Sequence, residues 1–298
     1  MMMPWRLFLD QNHCGARNMA VDEAMLLAHA RGFAPPTLRF YGWNPECLSL
    51  GRLQKQLPDA VREKERAEIS NTGISNGKVK GVDRNEDDEK ETAADFDVVR
   101  RPTGGRAVWH AQEITYCAVV RAELLPPEAR SVEGAYRWLS EGFLRGLQLL
   151  GLPVALAPGG VKANGPNCFA VSASCDFVAN GKKLIGAAQC RAEDAILQHG
   201  SLLLSIDENR WRNLAGGPMD SAISLRELGN FSRDAVVEAL CAGFAATANV
   251  RWQPDGLGTR ESELAQLLWE RKYVRPEWTF GAKVAAEALQ KIEAMLQV

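Results

Sequence analysis

Phe177-Val178-Ala179-Asn180-Gly181-Lys182-Lys183-Leu184-Ile185-Gly186-Ala187-Ala188-Gln189 reads as two strands folded back on each other. Strand-like residues stand on either side of Asn180-Gly181, and that dipeptide accepts the positive φ angles a two-residue hairpin turn requires. Antiparallel pairing is therefore written into this stretch. Strand signals recur around it, at Val154 to Leu156 upstream and Ser201 to Leu204 downstream. Further upstream lie Trp5 to Leu9, Thr37 to Tyr41, Leu48 to Leu50, Val98 to Arg101 and Ile114 to Val120. The last is a near-continuous apolar run of the kind buried on both faces. Gly42, Asn44 and Pro45 supply turn chemistry between Tyr41 and Leu48.

Helices interrupt these strands irregularly. Val21, Ala24, Met25 and Ala28 recur at helical spacing within Asn18 to Ala28. Ser131 to Leu150 is the clearest helix, with the stripe Val132, Ala135, Leu139, Phe143, Leu147 and Leu150, Glu133 in the first turn and Gly151 as a stop. Its stripe should pack on a sheet. Three more helices are expected, beginning near Ser232, Thr259 and Gly281, with a short strand at Val250 to Gln253. The fold class is α+β (α/β), with mixed, mainly antiparallel sheets flanked by helices. A single domain spanning 1–298 is expected, helical at its end from about 259. Glu63 to Ala94 is dominated by charged, Asn and Gly residues with no aromatic, and reads as a solvated loop insertion because it has little to bury against its ordering entropy.

Composition excludes several classes. The 298 residues carry 35 basic and 37 acidic side chains, a net charge of −2, so nothing in the bulk charge calls for nucleic acid or an anionic membrane. The seven cysteines never fall in CxxC spacing and the four histidines lie far apart, which argues against both a disulfide framework and a metal cluster. No apolar run reaches the length needed to cross a bilayer, and Met1 to Leu9 lacks an export core. A cytoplasmic monomer without a metal is the expectation.

Three segments can carry chemistry. In Arg100-Arg101-Pro102-Thr103-Gly104-Gly105-Arg106-Ala107-Val108-Trp109-His110, two arginines leave a strand and two glycines permit close backbone approach to an anion or acyl oxygen. It reads either as a ligand cradle or as a glycine hairpin with exposed arginines; it is neither a Walker loop nor a dinucleotide fingerprint. Cys168 sits in Gly165-Pro166-Asn167-Cys168-Phe169, a turn composition, whereas Cys117 and Cys241 fall in apolar patterns and read as inert. A working thiolate needs a nearby cation. Lys183 supplies one on a strand where alternation pairs it with Ile185 on one face and sets Leu184 and Gly186 on the other. His199 in Leu197-Gln198-His199-Gly200-Ser201 reads as a loop residue, either a structural hydrogen-bonder or a base.

In this order the segments resemble the biotin/lipoate protein ligase family. The resemblance is carried by Asn18 to Ala24, Leu38 to Trp43, Arg100 to His110, Gly181 to Gln189, Leu197 to Ser201, Lys272-Tyr273 and Trp278, and covers about Trp5 to Phe280. Asn167-Cys168-Phe169 replaces the Asn-Asp pair usual in ATP-dependent ligases, so the chain is most similar to the cysteine-dependent octanoyltransferases. The resemblance implies Cys168 as nucleophile and Lys183 as the cation that lowers its pKa, holds the acyl oxygen and shuttles the amine proton. Arg100, Arg101, Gly104, Gly105, His110, Gly186, Gln189 and His199 would bind substrate. The implied donor is octanoyl-acyl carrier protein, with Arg100, Arg101 and Arg106 steering that acidic partner. The implied acceptors are apo lipoyl domains or the glycine cleavage H protein, and no cofactor is implied. ATP and Mg enter only under the alternative of a lipoate or octanoate ligase; an octanoyl amidotransferase acting between lipoyl domains is a further alternative, as is a non-catalytic binding module. Cys175 is a second thiol, in a position where the family usually has an aromatic residue.

Overall fold

The computed structural model describes residues 2–72, 96–157, 169, 175–216 and 219–297. Along the chain these form β1 (Met3–His13), α1 (Gly15–Ala30), β2 (Thr37–Trp43), β3 (Cys47–Leu50), α2 (Asp59–Thr72), β4 (Asp97–Arg100), β5 (Val108–His110), β6 (Glu113–Arg121), α3 (Val132–Leu149) and β7 (Val154–Leu156). There follow β8 (Phe177–Ala179), β9 (Lys182–Ala192), β10 (Ala195–Leu203), α4 (Glu208–Leu214), α5 (Leu225–Leu228), α6 (Arg233–Ala248), β11 (Val250–Pro254), α7 (Thr259–Leu268), α8 (Pro276–Thr279) and α9 (Ala286–Gln297).

The large sheet has the order β11-β1-β2-β6-β10-β9-β8-β7, and a small one the order β4-β3-β5. In the large sheet β1 runs parallel to β11 and β2, and every other pair is antiparallel. The fold is thus α+β with mixed, mainly antiparallel sheets, as the hairpin stretch indicates. Asn180 and Gly181 turn that hairpin with φ of 51° and 74°, the left-handed pair a tight turn needs.

One face of the large sheet is covered by α3 and α6. Ser131 caps α3 by accepting a hydrogen bond from the Gly134 amide at 2.9 Å. The expected stripe lands in the core except Val132, which is exposed. Gly146 and Gly243 let the two helices cross closely: a Cβ on Gly243 would stand 2.1 Å from the Gly146 nitrogen. The other face packs under α1, α7 and α9, with Met19, Ala24, Met25, Leu264, Leu268 and Ile292 in its cluster. The small sheet has its own cluster, in which Leu48, Leu50 and Val108 meet Phe169 and Trp211. Among the described residues no helix is long and apolar enough to cross a membrane.

Several expectations need correcting. The charged stretch from Glu63 is not loop throughout, since α2 extends to Thr72. Its Glu, Lys, Arg and Ala residues are good helix formers, and Val61 anchors the helix in the small-sheet cluster. Residues 73–95 lie outside the described residues. Leu197 to Ser201 is the interior of β10, paired with β6 and β9 on either side. Gly42 lies inside β2, next to its last residue Trp43, instead of in a turn, and the last helix begins at Ala286, after the short α8. Gly258, not Thr259, caps α7, and Glu261 accepts from the Gly258 amide at 2.9 Å.

Candidate active site

Lys183 leaves the hairpin turn at the start of β9, and its backbone is held on both sides. Its amide donates to the Ser221 carbonyl at 2.7 Å, and its carbonyl accepts from Ile223 at 3.0 Å. Between β8 and β9 the register slips: Val178 faces Lys183, yet Phe177 faces Ile185. This irregularity breaks simple alternation. Lys183 accordingly lies against Gly186, where a Cβ would meet its Cε at 3.3 Å, and the expectation that these two residues occupy opposite faces is corrected. The ammonium is buried and sits 2.7 Å from Oδ2 of Asp176, which is itself buried. It also lies 5.3 Å from the ring centre of Phe169.

Cys168 lies outside the described residues, but its neighbour Phe169 is fixed. The Ser221 hydroxyl donates to the Phe169 carbonyl at 3.0 Å, and Trp211 meets the Phe169 ring edge-on at 5.3 Å. One residue, Ser221, thus ties down both Lys183 and Phe169. Cys175 is buried beside Asp176 with φ of 67°. Elsewhere, burial pushes the Cys47 and Cys117 thiols well up and the Cys190 and Cys241 thiols up to about 12, so these are protonated at neutral pH.

The arginine and glycine segment does not act as expected. Arg100 is 1 % exposed, and its guanidinium donates to the carbonyls of Gly51, Gln54, Trp278 and Thr279. It is a structural clamp between the loop after β3 and α8, with no fork left for a ligand or an acidic partner. Arg101 is buried as well and donates to the carbonyls of Ser49, Gly104 and Arg106. Steering by Arg100 and Arg101 is therefore withdrawn, and so is a hairpin with both arginines exposed. Gly104 and Gly105 shape the loop that Arg101 ties, and neither lines the cavity beside it.

That cavity is mostly apolar, walled by Met19, Tyr41, Trp43, Val108 and Ala188, with Gly186 also lining it. Arg101, His110 and His199 border it. His110 stacks on Trp43 with ring centres 4.0 Å apart. Its Nδ1 is 2.8 Å from Glu113 Oε1, and its Nε2 is 2.7 Å from Ser49 Oγ. Arg101 donates to that same hydroxyl, so Ser49 links Arg101 to the His110 ring. Burial opposes the charge on Glu113, yet His110, Thr115 and Ser201 outweigh it and hold the carboxyl below its ordinary value.

His199 is held in the same manner. Nδ1 faces Asp22 Oδ2 at 3.1 Å and Nε2 faces Thr103 Oγ1 at 2.7 Å. Burial lowers its pKa more than Asp22 raises it. Asp22 also takes Arg39 Nη1 at 2.7 Å and the Tyr41 hydroxyl at 2.9 Å. Burial raises Asp22, while His199 and Arg39 together bring it below its ordinary value. His199 is thus a hydrogen-bonded wall residue, in line with the structural reading of its sequence context.

Gln189 belongs to the other face. It pairs with Gln198, 3.4 Å away, whose amide donates toward Tyr116 and Ser140 on the α3 side. It does not line the cavity, and the expectation that it contacts substrate there is not met by this pairing. Sequence reasoning missed Asp176, Asp22, Arg39, Glu113, Ser49 and Thr103. The usable signals were an acid amid the apolar residues of α1 and an arginine within β2, whose seven residues are all buried.

A small, mostly apolar cavity thus lies in the mixed sheet, with the fixed lysine against Gly186 of its lining. The lipoyl protein ligase A/B catalytic domain matches residues 15–245. A protein named Octanoyltransferase LipM from Kyrpidia tusciae is 37 % identical, with 94 % of this chain and 99 % of the relative aligned. Octanoyltransferase LipM of Bacillus subtilis is 32 % identical over 93 % of this chain and 98 % of its own length. Among solved structures, a lipoate-protein ligase A bound with ATP superposes with a TM-score of 0.73 at 24 % identity, covering 94 % of this chain and all of the other. The chain belongs to the lipoyl protein ligase A/B catalytic-domain family.

Proposed function

We propose that this acyltransferase is an octanoyltransferase of lipoate biosynthesis that works in two halves through a thioester on Cys168. In the first half the Cys168 thiolate attacks the carbonyl carbon of octanoyl-acyl carrier protein. A new carbon–sulfur bond forms, the bond to the pantetheine sulfur breaks, and the carrier leaves as its thiol after taking up a proton. In the second half the lysine amine of an apo lipoyl domain, or of the glycine cleavage H protein, displaces Cys168 and forms the amide. Exchange between thioesters is nearly balanced, whereas the amide is much more stable, so the second half drives the transfer. No ATP, Mg or other cofactor takes part.

The observation that carries this reading is the double role of Ser221, which anchors Lys183 and the residue following Cys168 beside one apolar slot. Lys183 supplies positive charge for the thiolate and hydrogen bonds for the acyl oxygen. The octanoyl tail is expected at the slot walled by Met19, Tyr41, Trp43 and Val108, whose free volume of about 30 Å³ must widen to admit it.

Intact-protein mass measurement after mixing with octanoyl-acyl carrier protein tests the assignment. The wild type and Cys175→Ser should gain a hydroxylamine-sensitive octanoyl group, and Cys168→Ser should gain none. An adduct that survives in Cys168→Ser overturns the nucleophile. Product formed from free octanoate plus ATP, with none from the carrier thioester, overturns the transferase in favour of a ligase.

A further inference from the structure

With Arg100 and Arg101 folded into the loop beside the cavity, the positive charge that meets an acidic donor has to lie elsewhere. It gathers near the C-terminal end of the chain. A groove of about 420 Å³ runs between the segment leading into α8 and the first turns of α9. Arg271, Arg275, Lys283 and Lys291 line it with Glu277 and Glu287, a local balance of 4 − 2 = +2 in a chain of net charge −2. Val284, Ala285 and Ala288 add an apolar part to the lining. Lys291 is paired with Glu287 at 2.7 Å. Arg271, Arg275 and Lys283 are exposed, and Arg275 is pinned by its Nε, which donates to the Glu270 carbonyl at 2.8 Å. Lys291 and Arg271 together hold the exposed Glu287 carboxyl below its ordinary value, as a positive surface does.

The Arg100 clamp joins this groove to the loops around the acyl slot. Arg100 donates to the carbonyls of Gly51 and Gln54 on one side and to those of Thr279 and Phe280 on the other. The Lys283 amide is tied back to α8 through the Glu277 carbonyl at 2.9 Å. Gly51 in turn presses on the loop beside the cavity, where a Cβ on it would stand 1.9 Å from the Gly105 oxygen. In the connecting stretch Arg52, Leu53 and Lys55 are exposed, Leu53 at 81 %. Positive and apolar surface therefore continues from the groove toward the loop that Arg101 ties. A larger groove of about 550 Å³, lined in part by Trp109 and Trp211, carries more acids than bases and does not attract an acidic partner.

We propose that the groove holding Arg271, Arg275 and Lys283 is the docking surface for the acidic carrier protein that brings the octanoyl thioester. The inference rests on the transferase reading above. Reach decides between the two protein substrates. The acceptor's lysine stem is four carbons long, so the domain that bears it must sit at the mouth of the slot. The donor's acyl group rides on a pantetheine arm several times longer, so its protein docks to one side while the arm crosses the stretch from Gly51 to Lys55. Complementary charge of this kind speeds encounter and is screened by salt. The steering expected of Arg100 and Arg101 thus passes to side chains that face solvent.

The test compares two donors of the same acyl group, octanoyl-acyl carrier protein and octanoyl-pantetheine, on the full-length protein. Reversing three charges together, in Arg271→Glu, Arg275→Glu and Lys283→Glu, should lower kcat/KM for the carrier-bound donor by about tenfold or more, mainly through KM. Octanoyl-pantetheine should acylate this variant at the wild-type rate, which also reports that it is folded. Raising salt from about 0.05 to 0.5 M should depress kcat/KM of the wild type with the carrier and leave that of the variant nearly level. Equal kcat/KM for wild type and variant with the carrier overturns the docking surface, while acylation by both donors leaves the transferase reading standing. A loss shared equally by both donors assigns the effect to the acyl site and overturns the docking role. Normal acylation of the variant with slowed transfer from octanoyl-enzyme to an apo lipoyl domain gives the groove to the acceptor and overturns it too. Acylation of the wild type by neither donor removes the transferase reading, and the proposal with it.

Discussion

Under α3 and α6 the large sheet is covered by Leu139, Phe143, Leu147, Leu240 and Phe244, while under α1 the same sheet buries Asn18, Asp22, Arg39 and His199. The first face is held by contacts that are individually weak and need no particular direction. The second is held by a network in which Arg39 serves Asp10, Asp22 and Asn18, and Asp22 in turn serves Tyr41 and His199. Apolar packing distributes a loss among many neighbours, whereas a buried polar network loses several satisfied groups when one member goes. The small apolar cavity lies on the networked face, where oriented donors fix its walls more sharply than packing alone does.

The difference can be broken most directly at Asp22. Asp22→Ala should cost about 4 kcal/mol in urea unfolding, within the range for removing one partner of a buried charge pair. It should also weaken octanoyl transfer by releasing His199. A loss below about 1 kcal/mol would mean that Asp10 alone satisfies Arg39 and that the face is not a coupled network. Leu139→Ala on the other face should cost about 3 kcal/mol, the usual price of a core cavity, with transfer activity per folded molecule unchanged.

Acid sharpens the contrast. Asp22 and Glu113 are held below their ordinary values of 3.8 and 4.5, so their contribution is present above the unfolded values and is lost as pH falls through the lower folded ones. His199 and His29 are held below 6.5 by burial, so the unfolded chain takes up those protons first and stability starts to fall as pH drops through about that value. Urea midpoints followed from about pH 8 to pH 2 should therefore decline in two stages. Leu139→Ala should lower this curve without reshaping it, and Asp22→Asn should flatten its acid end. A wild-type midpoint that stays level across this range would contradict the directions given for all four groups. The smallest effect is expected at the end of α3: Ser131→Ala removes the hydroxyl that accepts from Gly134 and should cost about 1 kcal/mol.

The two faces also differ in how far they could be read in advance. The stripe from Ala135 to Leu147 announces α3 and its buried side, since hydrophobic period is a local property. Asn180-Gly181 announces the hairpin for a similar reason, as the turn geometry depends on two residues. The site was legible only in outline. Lys183 and the Cys168 loop stood out by composition, while Arg100 and Arg101 were taken as ligand groups because an arginine pair beside glycines looks the same whether its forks face solvent or carbonyls. Gln189 was taken as a substrate contact and His199 as a loop residue because β10 cannot be recognised as a central strand until both of its neighbours are paired to it.

By itself the sequence determined the mixed sheet, the capped helix that covers it, the family, and the candidate nucleophile and cation. Tertiary structure alone decided which arginines are clamps, which face each β9 side chain takes beyond the register slip, and that Asp176 meets Lys183. The physical reason is range. Period and turn chemistry act over a few neighbouring residues, whereas an ion pair such as Arg6 with Glu261 or Lys272 with Glu23 joins positions about 250 apart, and nothing local to either member names its partner.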